Sequence, residues 1–241
     1  MNVQTNWFET FFEGAAVDLW LKATTAELTE REVASLERTL DVGPGAELLD
    51  VPCGGGRLAM AMAERGYRVT GIDISEQFLD HARAADPSGR VTWQRGDMRD
   101  LPWPSRFDGA FCYGNSFGYL DDQGNEDFLR AIAAALKPGG RFVLETPMVL
   151  ENLLGHIQDR PWWKVRDAHL LVANHYDAIR QRLDIEYTFV SEGRVDVRHG
   201  THRAYSLREL IELIEACGFD VALDRPWTRE AHVVTVIGTK K

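Results

Sequence analysis

Hydrophobic positions fall into three textures along the chain. From Thr5 to Leu40 they recur at roughly helical spacing, through Trp7, Phe8, Phe11, Phe12, Val17, Leu19, Trp20 and Leu21, in a stretch rich in helix formers. Asp41-Val-Gly-Pro-Gly45 breaks that pattern, because two glycines around a proline do not continue a helix.

From Ala46 onward short apolar runs alternate with amphipathic helices. Glu47–Val51, Tyr67–Asp73, Val91–Arg95, Phe107–Tyr113 and Gly140–Thr146 read as strands. Between them Arg57–Arg65, Glu76–Ala85 and Asn125–Leu136 read as helices, with Gly66 stopping the first and Ser75 placed to cap the second. Strict alternation implies right-handed βαβ units, so the expected fold is α/β, a doubly wound, mostly parallel seven-stranded sheet.

After Pro147 the alternation stops. Trp163–Ser191 and Arg194–Tyr205 are strand-like, with Glu192-Gly193 as a hairpin turn. Ser206 then precedes a periodic helix, Leu207–Ala216, ended by Gly218, and Phe219–Asp224 and His232–Gly238 close the chain as strands. Three parts follow: a helical lid over 1–45, a ligand-binding core over 46–146 and 206–241, and an inserted antiparallel β subdomain over 147–205. An insertion this long in a compact domain is usually functional, and its aromatic and histidine content suits a cap over a second substrate.

Composition narrows the partners. The 241 residues carry 27 basic and 37 acidic side chains, a net charge of −10, which disfavours nucleic acid as a partner. No apolar run approaches the roughly 18–20 residues that span a bilayer. Met1–Glu13 lacks the basic start and apolar middle of a signal peptide. Cys53, Cys112 and Cys217 stand singly in apolar contexts, so neither disulfides nor a CxxC metal site is expected. Together these predict a cytoplasmic protein, monomer or homodimer, that acts on something small or on another protein, without a metal.

The chemistry concentrates in Leu48-Leu-Asp-Val-Pro-Cys-Gly-Gly-Gly-Arg57, a strand running into a glycine turn and then a helix. Such a turn lets backbone approach a ligand where side chains would collide. Asp73, about 20 residues further on at the end of the next strand, suits ribose hydroxyls. Gly54-Gly-Gly56-Arg-Leu-Ala59 also fits the dinucleotide fingerprint G-x-G-x-x-A, which keeps a nicotinamide-dependent oxidoreductase as the alternative. Asp50 weighs against it: a carboxylate facing the loop repels a pyrophosphate and attracts an α-ammonium group.

Four motifs, Leu48-Leu-Asp-Val-Pro-Cys-Gly-Gly-Gly56, Gly71-Ile-Asp-Ile-Ser75, Gly96-Asp-Met-Arg-Asp-Leu-Pro102 and Leu136-Lys-Pro-Gly-Gly140, occur in order. With them the chain resembles the class I S-adenosylmethionine-dependent methyltransferases over roughly Ala46 to Thr146. The resemblance implies a Rossmann-like fold, S-adenosyl-L-methionine as cofactor with S-adenosyl-L-homocysteine as product, and a small-molecule methyl acceptor. It further implies that Asp50 and Gly54 hold the methionine portion and Asp73 the ribose. Ile74 then packs on the adenine, Asp97 accepts from its amino group, and the Met98 backbone assists. Pro52 departs from the family's usual first glycine; lacking an N–H, it shifts ligand contact to Cys53, Gly54 and Gly56.

In open α/β sheets ligands bind beyond the carboxyl ends of the strands. This places Cys112-Tyr-Gly-Asn-Ser-Phe-Gly-Tyr-Leu120 at the reaction centre, with Tyr113, Asn115 and Tyr119 as candidate catalytic groups, Tyr113 also touching cofactor, and Phe117 as a wall. The segment lacks the N-P-P-Y pattern of methylases that act on amides or base amines. A general base, if one is used, would come from His175, His199 or His202, of which His199 and His202 are expected on a solvated strand. Arg203 is expected in a surface salt bridge. Trp7, Phe11 and Trp20 would complete the lid.

Overall fold

The computed structural model describes residues 6–228 and 232–241. The helical start resolves into α1 (Phe8–Phe11), α2 (Ala15–Ala23) and α3 (Ala26–Leu40), with a Thr25 hydroxyl accepting from Leu28 N–H at the head of the third. The core then follows the expected alternation: β1 (Glu47–Asp50), α4 (Arg57–Glu64), β2 (Arg68–Asp73), α5 (Glu76–Ala85), β3 (Val91–Arg95), β4 (Phe107–Cys112), α6 (Asp122–Ala135) and β5 (Leu136–Thr146). α6 starts three residues before the expected Asn125, because Asp121 caps it by accepting from Gly124 N–H.

The insertion is α7 (Leu150–His156), β6 (Trp162–Val165), β7 (Ala168–Asp177), β8 (Arg182–Ser191) and β9 (Arg194–Arg203). It is therefore not purely antiparallel β as expected: a short helix precedes the hairpins. α8 (Leu207–Ala216), β10 (Phe219–Leu223) and β11 (Val234–Lys240) return to the core. Ser206 and Glu209 form a reciprocal capping box on α8, an arrangement worth about 1 kcal/mol.

The large sheet has the order β10-β11-β5-β4-β1-β2-β3, and only β11 runs against its neighbours. Its central strands are covered on both faces. Leu40, Leu36 and Val33 of α3 join Leu58 and Met62 of α4 on one side, while Phe128, Leu129 and Ile132 of α6 join Leu210 and Ile214 of α8 on the other. α3 thus belongs to the core rather than to the lid expected over 1–45; α1 and α2 alone lie over the site, and residues 1–5 fall outside the described residues.

Register sets the chemistry. Asp50 pairs with Gly71 on one side and Phe111 on the other, so the carboxyl ends of β1, β2 and β4 stand side by side. The four-stranded sheet β6-β7-β8-β9 presents one face inward, where Leu170 pairs with Phe189, Val172 with Tyr187, Asn174 with Ile185, and Ile185 with Gly200. Against that face pack the aromatic residues of α1, α2 and the segment before them. Phe11 stands 5.1 Å edge-on to Tyr187, Trp20 6.1 Å from the same ring, and Trp7 3.0 Å from where a side chain on Gly200 would begin. Such edge-to-face pairs each add roughly 0.5–1.5 kcal/mol beyond simple burial.

Candidate active site

Two cavities open beyond the carboxyl edge of the large sheet and share three wall residues: Trp20, Thr24 and Gly114. The first, about 270 Å³, lies over the turn between β1 and α4. The second, about 970 Å³, lies beneath the inserted sheet.

The first is a backbone cradle edged by acids. Gly54 and Gly56 hold positive φ angles of 51° and 77°. A Cβ at Gly56 would come within 2.2 Å of the Trp93 ring, so any larger residue must displace that indole. Asp73 sits with its two oxygens on backbone N–H groups, Oδ2 accepting from Gly54 and Oδ1 from Ser75, both at 2.8 Å. Burial pushes its carboxyl up to about 6, against the pull of those same backbone donors. Asp50, 3% exposed, is raised well above the usual carboxylate range, first by burial and further by the charge of Asp73, while Arg57 opposes the rise. Arg57 is itself held by Glu32 and by the Thr29 hydroxyl. Two buried carboxyl groups beside a glycine turn suit a ligand carrying a cationic group, and a diphosphate would meet repulsion there.

Of the residues expected at the cofactor, Asp50, Pro52, Cys53, Gly54, Asp73, Ile74, Asp97, Met98 and Tyr113 all line this cavity. The Val51–Pro52 peptide is cis, and the Cys53 N–H is taken by the Ile72 carbonyl. Gly56 shapes the turn from behind. Asp97 is engaged differently from the free acceptor expected: Arg99 chelates it, with Nε and Nη2 donating at 2.9 and 2.5 Å, and this pair holds its carboxyl below the usual range despite burial. One apolar wall was missed in the sequence. Phe12 and Phe78, 5.7 Å apart, line the cavity with Ile74 and Met98, although their helical spacing reads simply as core.

The segment after β4 divides in a way its sequence does not reveal. Tyr113 touches the first cavity but turns its hydroxyl toward Ser35 of α3 and Glu145 of β5, where it has no hydrogen-bond partner among the described residues; the expected catalytic role is not supported by that geometry. Asn115 holds a φ of +67° and lines the second cavity, its Oδ1 buried and unpartnered among the described residues. Tyr119 lines the first cavity, wedged edge-on between Trp7 and His202 at 4.7 Å from each. Phe117 is not a site wall; it packs inward on Phe128 and Tyr205.

The histidine expectations are corrected in part. His202 is buried behind Tyr119, 1% exposed rather than solvated, and burial drives its pKa down to about 3, so the ring is neutral at physiological pH. His175 and His199 are exposed. His175 alternates with Asn174, whose side chain takes the cavity side of β7, so the histidine faces away. Arg203 is not a surface residue either; it lies buried over the Tyr205 ring at 4.2 Å and donates to Asp122 at 2.8 Å. Among the described residues no group of three metal-ligating side chains occurs, and no helix is long and apolar enough to cross a membrane.

A doubly wound sheet with buried acids at the carboxyl ends of neighbouring strands, over a glycine turn, defines a Rossmann-like nucleoside-binding enzyme domain. Comparison with known proteins gives the family. Residues 48–140 match the model of the methyltransferase domain. The 27-O-demethylrifamycin SV methyltransferase of Amycolatopsis mediterranei is 30% identical over 223 residues, covering 84% of this chain and 79% of that one. A ubiquinone biosynthesis O-methyltransferase of Idiomarina loihiensis is 39% identical over 106 residues, and the match covers only 42% of each chain. Among solved structures, the CcbJ methyltransferase from Streptomyces caelestis superposes with a TM-score of 0.80 at 20% identity, over 97% of this chain and 99% of that one. The chain belongs to the S-adenosylmethionine-dependent methyltransferases. At that identity the structural likeness speaks for the fold alone.

Proposed function

We propose that this chain transfers a methyl group from S-adenosylmethionine, bound in the first cavity, to an oxygen or nitrogen of a small molecule bound in the second. The observation that carries this reading is the meeting of the two cavities at Trp20, Thr24 and Gly114, directly beyond β4. The cofactor supplies an electrophilic methyl group when bound. Asp50 would face its ammonium group, Gly54 its methionine portion, Asp73 its ribose, and Ile74, Met98, Phe12 and Phe78 its adenine. Asp97 keeps oxygen lone pairs for the adenine amine even while Arg99 holds it.

What remains for the protein is placement and dryness. A nucleophile about 3–3.5 Å from the methyl carbon and in line with it gains most of the available rate advantage. Asn115 stands at the junction on the acceptor side, and α1 and α2 cover the cofactor side with Phe8, Phe12 and Trp20. In this division residues 147–205 form the acceptor cap. His202 acts as a neutral prop for Tyr119 rather than as a base that exchanges protons with substrate. The oxidoreductase alternative loses its footing, because the Asp50 carboxyl lines the turn where a diphosphate would lie and the named relatives are methyltransferases. The test is incubation with methyl-labelled S-adenosylmethionine and fractionated metabolite pools, read by mass spectrometry. Label should appear in an organic acceptor together with demethylated cofactor; label retained in the cofactor across all pools would count against the assignment.

A further inference from the structure

The second cavity says what kind of acceptor it holds. Its volume, about 970 Å³, lies at the top of the roughly 300–1,000 Å³ range of small-molecule sites. Its walls are mostly aliphatic and aromatic, with Leu170, Val172, Leu183 and Ile185 from the inserted sheet and Met148 and Leu153 from around α7. Among its described wall residues there is no carboxylate, and the titratable groups are Lys164, His156, His232 and the Tyr187 phenol. A protonated amine would find no counter-charge there, whereas a neutral ring system would be desolvated without cost.

Two polar atoms within this wall lack partners among the described residues, and they are of opposite kind. Asn115 offers an acceptor, Oδ1. Asn152, 2% exposed, offers a donor. Its Oδ1 accepts from Trp227 Nε1 at 2.8 Å, and since an indole N–H can only donate, the amide is oriented with Nδ2 left over. A buried donor and a buried acceptor each cost about 1–3 kcal/mol when unmet, so the ligand is expected to supply one of each.

Resting on the methyltransferase reading above, we propose that the acceptor is a bulky, uncharged, largely apolar polycyclic or macrocyclic scaffold. It carries a hydroxyl that donates to Asn115 and a carbonyl or ether oxygen that accepts from Asn152. The hydroxyl held at Asn115, beside the junction with the first cavity, is the nucleophile.

Binding to the full chain saturated with S-adenosylhomocysteine tests this, using quenching of tryptophan fluorescence with three probes: 2,6-dihydroxyanthraquinone, unsubstituted anthraquinone and catechol. The dihydroxy tricycle should bind at least about tenfold more tightly than either of the others, the loss of one hydrogen bond being worth roughly that factor. Asn115→Gly, which keeps the positive φ, should weaken the dihydroxy probe about tenfold and leave anthraquinone unchanged. Leu183→Trp, or Val172→Phe should the first not fold, should block both tricycles while S-adenosylhomocysteine affinity stays within about twofold. Catechol binding as tightly as the tricycles, or Asn115→Gly weakening all probes alike, would overturn the proposal. Failure of S-adenosylhomocysteine to bind would instead strike at the cofactor site itself.

Discussion

The two cavities are built by opposite means. The cofactor side is made of strand ends and backbone: three neighbouring strands in fixed register, a glycine turn, and Asp73, whose two oxygens are already tied to backbone N–H groups at 2.8 Å. The acceptor side is made of side chains contributed by α2, the segment after β4, α7 and the inserted sheet, with polar atoms that await a partner. A rigid, satisfied half suits a ligand that is the same in every turnover. A half assembled from separate elements can vary in sequence without disturbing the sheet beneath it.

The sharpest way to break this contrast is at the turn. Gly56→Val forces a side chain into the Trp93 indole at a positive φ, and strain plus overpacking together cost about 3 kcal/mol or more. The melting temperature should fall by roughly 10 °C. An unchanged melting curve would show that the turn is not rigid.

Removal of a single carboxylate should be milder. Asp73→Ala is expected to weaken S-adenosylhomocysteine binding by about 1–3 kcal/mol, read by calorimetry. The cavity-filling Leu183→Trp should leave that affinity alone. Equal effects of the two substitutions would erase the division between the halves.

The pH profile sharpens the same point. The Asp73 carboxyl, raised to about 6 by burial, accepts from two ribose hydroxyls with both oxygens, and more strongly, once it is ionised. Affinity for S-adenosylhomocysteine should therefore rise about tenfold between pH 5 and 6.5 and level off above. The stability contribution has the opposite sign. With a folded pKa above the unfolded one, the unbound protein gains from this group below about pH 4 and loses that gain as pH rises through about 6. Asp73→Asn should flatten both trends; a wild-type affinity constant from pH 5 to 8 would contradict the assignment. Smallest of all should be Tyr113→Phe. Its hydroxyl is buried without a partner among the described residues, so cofactor affinity should stay within about twofold and the melting temperature should hold or rise slightly. A tenfold loss of affinity would restore Tyr113 as a ligand.

What was legible in the sequence tracks the same division. Strand and helix periodicity, the Ser75 and Ser206 caps and the acid at each strand end are local signals, and they place the core elements to within a few residues. Asp50, Gly54 and Asp73 could be singled out because each sits at a fixed offset from a strand end. The acceptor wall could not. Asn152 and Leu183 meet only because an insertion folds back over the sheet, and neither has a sequence signature of its own. Which way Tyr113 turns depends on one residue of register past β4, and His202 reads as solvated until Trp7 and Tyr119 close over it. The helix α7 went unseen because seven residues, lying between a proline and an aromatic run, are too few for periodicity to declare.

Both halves depend on the acid-edged turn receiving a cationic adenosyl ligand rather than a diphosphate. Calorimetric titration of the protein with S-adenosylmethionine and, separately, with NAD tests it most directly. Saturable one-to-one binding of the sulfonium compound is expected, with no measurable heat from the dinucleotide; saturable binding of NAD with none of S-adenosylmethionine would assign the turn to a diphosphate instead.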